Sequence, residues 1–214
     1  MSSVSESSNL ASHSAVSRTG SLTRAFDFVC SLLGLIAASP LLAMIALAIK
    51  LDDGGPVFYS QERVGRSFRL FRVHKFRTMI VGADRQSLLT CSGDNRQTRV
   101  GRLLRRYKLD ELPQLFNVLK GEMQLVGARP EVDQYVQMFR PQYSVILQDR
   151  PGITDPASLA YRHEDQILCA DRLEEQYVRE VLPAKLALAL DYQRRRTFLS
   201  DIGILFRTAL ELFK

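Results

Sequence analysis

Asp110 and Glu111 stand side by side at the end of a basic stretch, with Arg96, Arg99, Arg102, Arg105, Arg106 and Lys108 before them and no acidic residue between Arg96 and Leu109. Two carboxylates among cations stay ionised, and ionised carboxylates grip divalent metals or attack phosphorus. On a helix, neighbours i and i+1 point about 100° apart, which suits two different jobs better than one shared job. A plainer reading also fits: an acidic pair just before Pro113 is a good helix start, with Leu109 or Asp110 as its cap.

Other residues suit anions. Lys75 and Arg77 in Lys75-Phe76-Arg77-Thr78-Met79 share a face if that run is a strand, and two like-facing cations make a phosphate clamp or simply a solvated face. Arg129 precedes Pro130, which pushes it toward extended backbone and presents its guanidinium from a stiff turn, either to a phosphate or to Glu131. Arg150-Pro151-Gly152-Ile153-Thr154 is a second stiff basic turn. The three histidines, His13, His74 and His163, are scattered and form no spaced metal-ligand pair. The P-loop, GxGxxG and GxSxG patterns are absent.

The elements that must position these residues begin with a tail, residues 1–20, containing eight serines; such a segment buries too little to order itself. Phe28 to Ile49 is then a run of 22 residues without a charge, about 33 Å as one helix, close to a hydrocarbon core in thickness. Ser39-Pro40 lies near its middle and predicts a bend. Arg18 and Arg24 precede the run and Lys50, Arg63, Arg66, Arg69 and Arg72 follow it, so both ends carry the charge of a cytoplasmic side. A helix-break-helix that enters the membrane and returns over residues 21–52 satisfies both signals. A kinked spanning helix, a buried core helix and a signal peptide cut at Ala37-Ala38-Ser39 are the rivals.

Residues 53–214 read as a cytosolic domain. Short aromatic and β-branched runs around Gly65-Arg66-Ser67 predict a β-hairpin, residues 82–98 a loop, and Val100–Leu119 two helices separated at Pro113. Residues 164–196 predict a helix interrupted or kinked at Pro183. Leu199–Phe213 predicts an amphipathic helix with Ile202, Leu205, Phe206 and Leu210 on one side, for docking on the core or on a membrane interface that Arg194, Arg195 and Arg196 would also meet. The fold expected is α+β and mainly helical. Three separated cysteines, Cys30, Cys91 and Cys169, argue against a disulfide framework. A net charge of +6 with a pI near 9.4 favours an anionic partner without choosing it.

The order of Ser39-Pro40, Gln61-Glu62-Arg63-Val64-Gly65, Lys75-Phe76-Arg77-Thr78-Met79, Leu109-Asp110-Glu111-Leu112-Pro113-Gln114-Leu115-Phe116-Asn117-Val118-Leu119-Lys120-Gly121-Glu122-Met123, Gly127-Ala128-Arg129-Pro130 and Arg150-Pro151-Gly152-Ile153-Thr154 strongly resembles the bacterial sugar transferase family. These are monotopic polyprenyl-phosphate phosphoglycosyl transferases, and the chain looks like their minimal catalytic form.

The resemblance implies transfer of a sugar 1-phosphate from a UDP-sugar to undecaprenyl phosphate with release of UMP and with Mg²⁺, the first membrane step of exopolysaccharide, O-antigen or glycoconjugate assembly. It implies Asp110 as nucleophile, Glu111 as its metal-positioning partner, and Lys75, Arg77, Arg105, Arg129, Pro130 and Glu131 around phosphate or nucleotide. It implies the bacterial inner membrane with the catalytic domain facing the cytoplasm and no nucleic acid as partner; a homodimer stays open. The competing class is a membrane-tethered basic adaptor for anionic lipid or polysaccharide. The chain departs from many members at Ala128, where they carry proline, and at Asp155-Pro156-Ala157-Ser158, where they carry Gly-Trp-Ala. The sugar therefore stays unassigned, and Arg162 and Glu164 are the polar residues placed to serve there instead.

Overall fold

The structure, a computed structural model, describes residues 20–83, 89–91, 93–168 and 170–211. The serine-rich tail, part of the 82–98 loop, Cys169 and Phe213 lie outside the described residues. The expected α+β, mainly helical fold is found.

Helix α1 is Ser21–Asp53, 33 residues, about 50 Å long at 1.5 Å per residue. It runs through Pro40 without ending, so the expected helix-break-helix is corrected to one helix containing a proline. The reason is local. Pro40 has no N–H for the carbonyl of Ile36 four residues back, and the Ser39 hydroxyl donates to that carbonyl instead, at 2.8 Å. Gly54 ends the helix in a left-handed conformation that glycine adopts freely, with its N–H on Lys50 O.

Both ends of α1 are fastened to the same globular body. Near the start, Arg24 donates to Val118 O and Leu119 O at 2.6 and 2.8 Å. At the end, Asp52 accepts from the Val100 N–H at 3.1 Å and Asp53 pairs with Arg77. One stripe, Asp27, Ser31, Leu35, Ile45 and Ile49, is buried, whereas Leu22, Val29, Leu33, Ile36, Met44 and Leu47 are exposed. An exposed face so apolar is not that of an ordinary surface helix.

The hairpin is as expected. Strand β1, Phe58–Val64, pairs antiparallel with β2, Leu70–Phe76, placing Tyr59 opposite Lys75. Because β2 ends at Phe76, Lys75 and Arg77 do not share a strand face. Helices α2, Arg99–Arg106, and α3, Gln114–Lys120, follow, separated at Pro113 as predicted. Neither Leu109 nor Asp110 caps α3: its cap is Pro113, with no side-chain hydrogen bond.

Strands β3, Gln124–Val126, and β4, Gly152–Thr154, form a parallel pair that the sequence patterning did not reveal. Three residues each are too short to show alternation, and the pair closes where Gly127 and Gly152 touch, since a Cβ on Gly152 would collide with the Gly127 nitrogen.

Helices α4, Asp133–Met138, α5, Arg140–Ile146, and α6, Pro156–Ala160, lead to the C-terminal part. The expected 164–196 helix is several pieces: α7, Glu164–Ile167, α8, Leu173–Gln176, a π-helical turn at Tyr177–Val181, and α9, Leu182–Arg195. Pro183 does not kink a longer helix; it sits in the first turn of α9, where its missing N–H costs nothing. Helix α10, Phe198–Glu211, docks through Asp201 and Ile204 and leaves Ile202, Phe206 and Leu210 exposed. Arg196 does not face outward as expected. Its guanidinium is buried on Asp201 at 2.7 Å and on Val126 O at 2.8 Å.

The principal core packs Tyr135, Val136, Tyr143, Tyr177, Val181 and Leu186 beneath the hairpin turn. A second cluster joins Val73, Val118, Met123 and Ile204, and a third joins Ile45 and Ile49 of α1 to Phe76 and Leu104.

Candidate active site

Lys108 adopts a left-handed conformation, φ 55° and ψ 21°, and turns the chain into a short 3-10 segment, Leu109–Glu111. That turn, rather than a helix cap, aims both carboxylates inward. Asp110 is 6% exposed, and its Oδ1 is a buried oxygen with no hydrogen-bond partner among the described residues. Glu111 is fully engaged: Arg129 donates to both of its oxygens, and Lys75 Nζ lies 3.2 Å from Oε1. The adjacent carboxylates do have different surroundings, as their spacing suggested.

Two further contacts fix the frame. The buried Asn117 accepts from the His74 N–H at 3.1 Å and donates to Arg72 O at 2.7 Å, clamping α3 to β2 beside Lys75. Helix α2 lies so close to Thr78 that a Cβ on Gly101 would collide with the Thr78 carbonyl, and Arg105 Nε donates to Thr78 Oγ1 at 2.9 Å. Asn117 gives no sequence signal beyond its place in the run after Asp110, and the Gly101 contact is equally invisible in sequence.

The electrostatics differ from the expectation that the basic stretch and a helix start pull the Asp110 carboxyl down. Burial and then the Glu111 charge push the Asp110 carboxyl above its usual range, against the pull of Lys75, Arg105 and Lys108. For Glu111 burial is outweighed by Arg129 and Lys75, and its carboxyl lies well below the usual range. Burial also lowers the ammonium groups of Lys75 and Lys108. Lys108 is the cation that sequence reasoning left among the basic run; its signal was its place immediately before Leu109-Asp110-Glu111.

Asp110, Glu111, Lys75, Arg105, Lys108 and Arg129 line one broad cleft of about 1960 Å³. Arg77 borders it, but its guanidinium is held by Asp53, Pro56 O and Met79 O. Its visible work is tying the end of α1 to the end of β2. Arg129 pairs with Glu111 and not with Glu131. The backbone of Glu131, next to Pro130, accepts from the Val64 N–H at 2.9 Å, which lays this loop over the hairpin. The Glu131 carboxylate itself accepts from Arg63 at 2.6 Å, from the Val132 N–H at 2.8 Å and from Tyr177 Oη at 2.7 Å. Ser39 and Pro40 are far along the exposed part of α1 and contribute nothing to the cleft lining.

Among the described residues no cluster of three His, Cys, Asp or Glu side chains surrounds a metal position. The pair alone still suits Mg²⁺, which commonly takes one or two carboxylates and completes its shell with substrate phosphates and water. The unpartnered Asp110 Oδ1 is the free ligand, while both Glu111 oxygens already accept from cations.

The model of the family described as bacterial sugar transferase matches residues 18–214. The undecaprenyl-phosphate glucose phosphotransferase of Komagataeibacter xylinus is 40% identical over 196 residues, 86% of this chain and 34% of that protein. The undecaprenyl-phosphate galactose phosphotransferase of Salmonella typhimurium is 37% identical over 205 residues, 88% of this chain and 40% of that protein. The chain thus spans well under half the length of these two relatives. The exopolysaccharide production protein ExoY of Sinorhizobium fredii is nearer in size, 31% identical over 201 residues that make up 86% of this chain and 82% of ExoY. With a family match over nearly the whole chain and the carboxylate pair, its cations and the cleft in one place, the chain belongs to the bacterial sugar transferase family.

Proposed function

We propose that this chain moves a sugar 1-phosphate from a UDP-sugar to undecaprenyl phosphate at the bacterial inner membrane, through a covalent intermediate on Asp110. The observation that carries the reading is the asymmetry of the pair. Asp110 lines a cationic cleft and has an oxygen without a hydrogen-bond partner among the described residues, whereas Glu111 is saturated by Arg129 and Lys75. A free oxygen can attack; a saturated carboxylate can only hold its partners in place.

In the first step Asp110 forms a bond to the β-phosphorus, and the bond from that phosphorus to the oxygen bridging the α-phosphate breaks. UMP leaves with the electron pair, and the enzyme carries an acyl phosphosugar. In the second step an oxygen of undecaprenyl phosphate attacks the same phosphorus, and the Asp110 carboxylate is released. Lys75, Arg105 and Arg129 surround the position where phosphate charge would develop, in a partly dry cleft where such charges count more than in water. Glu111 positions two of those three cations. Mg²⁺ held beside Asp110 would supply charge neutralisation for the leaving nucleotide. Arg77 supports the site from behind through Asp53, and Glu131 through Arg63.

The membrane reading rests on α1. It is long and apolar enough to cross a bilayer, yet both its ends are bound to one globular body, which disfavours ends on opposite sides of a bilayer. We take its exposed central face, with the exposed face of α10, to enter one leaflet and leave it on the cytoplasmic side, bringing the cleft to a lipid phosphate.

The test is direct. Purified protein given a UDP-sugar without lipid releases one equivalent of UMP in a burst and gains the mass of one phosphosugar; Asp110→Asn does neither. A fully active asparagine variant ends the covalent reading. An adaptor would bind anionic lipid equally well with either residue and release no UMP from any donor.

A further inference from the structure

The cleft has a second polar wall that the transfer steps do not use. Glu164, the first residue of α7, accepts from Lys185 of α9 at 2.6 Å, and both side chains are largely buried, 24% and 13% exposed. Both line the same cleft as Asp110 and Arg129. Glu164 lies close enough to Arg129 for its charge to strengthen that guanidinium's hold on its proton. The pair therefore borders the phosphate-facing residues but sits outside them.

Its hydrogen bonding is incomplete in a way that Glu111 and Glu131 are not. Those two carboxylates accept on both oxygens. Glu164 engages one carboxylate oxygen only, and Lys185 donates one of its three ammonium N–H bonds; among the described residues neither side chain has another hydrogen-bond partner. One free acceptor and two free donors are thus held side by side in the cleft. The ammonium is fixed further by lying 5.4 Å from the centre of the Tyr177 ring, whose hydroxyl is itself held by Glu131. Tyr177 opens the π-helical turn that leads into α9, an arrangement found often at functional sites because the extra residue redirects side chains.

We propose that the Glu164–Lys185 pair is the sugar subsite, reading adjacent hydroxyl groups of the donor hexose with the free carboxylate oxygen and the free ammonium N–H groups. The proposal rests on the transfer reading above, since it places the sugar of the UDP-hexose beside a phosphate held by Arg129. It also gives the unusual segment after Thr154 a role. Asp155 caps α6 through the Ser158 N–H at 2.7 Å, and α6 leads the chain round to Glu164. A site built to hydrogen-bond a substrate hydroxyl discriminates strongly against a donor that presents it wrongly, because a buried polar group is then left unpaired.

The experiment compares the full chain with Glu164→Gln, which keeps the shape and a hydrogen bond to Lys185, and with Lys185→Met. UMP release is measured with UDP-glucose and with UDP-galactose, and UDP, which lacks the sugar, is measured as a competitive inhibitor. The expected result is a rise in KM of about tenfold or more for the preferred donor, with an altered glucose-to-galactose ratio and kcat and UDP inhibition near wild type. Unchanged KM and ratio in both variants overturn the proposal. So does a loss of UDP affinity in step with UDP-hexose, which would make the pair a support of the whole cleft. Wild-type protein that releases no UMP from any UDP-sugar refutes the transfer reading itself, and the subsite falls with it.

Discussion

Replacing Arg129 by methionine tests whether the Glu111 cluster is coupled as its geometry implies. Arg129 meets both Glu111 oxygens, and the Glu111 side chain is 12% exposed. Removing one partner of a buried pair costs about 3–5 kcal/mol. Two features reduce that here: Lys75 remains at 3.2 Å, and the Arg129 side chain is 34% exposed, so water screens part of the interaction and about 2 kcal/mol is a fair expectation. For a chain of this size that lowers Tm by about 4–8 °C. Adding Glu111→Gln to the same protein removes the stranded charge, and at least about 1 kcal/mol returns. The chain has no tryptophan, so unfolding of wild type, both single variants and the double variant is followed by circular dichroism in detergent. UMP release stays abolished in every variant lacking Arg129, even where stability recovers. Single-variant costs that add to within about 0.5 kcal/mol in the double variant would refute the coupling.

Three further outcomes are expected. Gly101→Ala forces α2 off Thr78 and costs about 1–3 kcal/mol by overpacking, with activity falling because Arg105 and Asp110 move together; wild-type melting would contradict the close approach. Chelation of divalent cations stops UMP release and Mg²⁺ restores it, whereas undiminished turnover in excess chelator removes the metal from the reaction. In a background without the native cysteines, Gly20→Cys and Pro56→Cys are both shielded from a periplasmic thiol reagent in intact cells, and labelling of one alone would mean that α1 spans the membrane.

The elements legible in the sequence were those with strong local signals. The hairpin announced itself through β-branched and aromatic runs about Gly65-Arg66-Ser67, and α10 through its apolar spacing, though the apolar side turned out to face outward and Asp201 and Ile204 the core. Asp110 and Glu111 were visible because two acids stand alone after a basic run. What stayed hidden depends on contacts between distant residues: β3 with β4, Asn117 on β2, and Arg77 on Asp53. Pro40 misled for a different reason. The rule that proline frees a carbonyl is sound, but here the preceding serine supplies the missing donor one residue away. The Asp110 carboxyl lies above its usual range and not below it, because a count of nearby cations ignores burial, which was the larger influence.

The attachment of α1 at both ends has a practical meaning. Such a segment invites removal to obtain a water-soluble enzyme, on the view that it is a tether. Here Ile45 and Ile49 complete the cluster with Phe76 and Leu104, Asp52 holds the start of α2, and Asp53 holds Arg77. A truncation after residue 53 would open a hole beneath the strand that carries Lys75 and strand a buried guanidinium next to it. The apolar helix is a wall of the folded body, and the strand that carries Lys75 cannot keep its place without it.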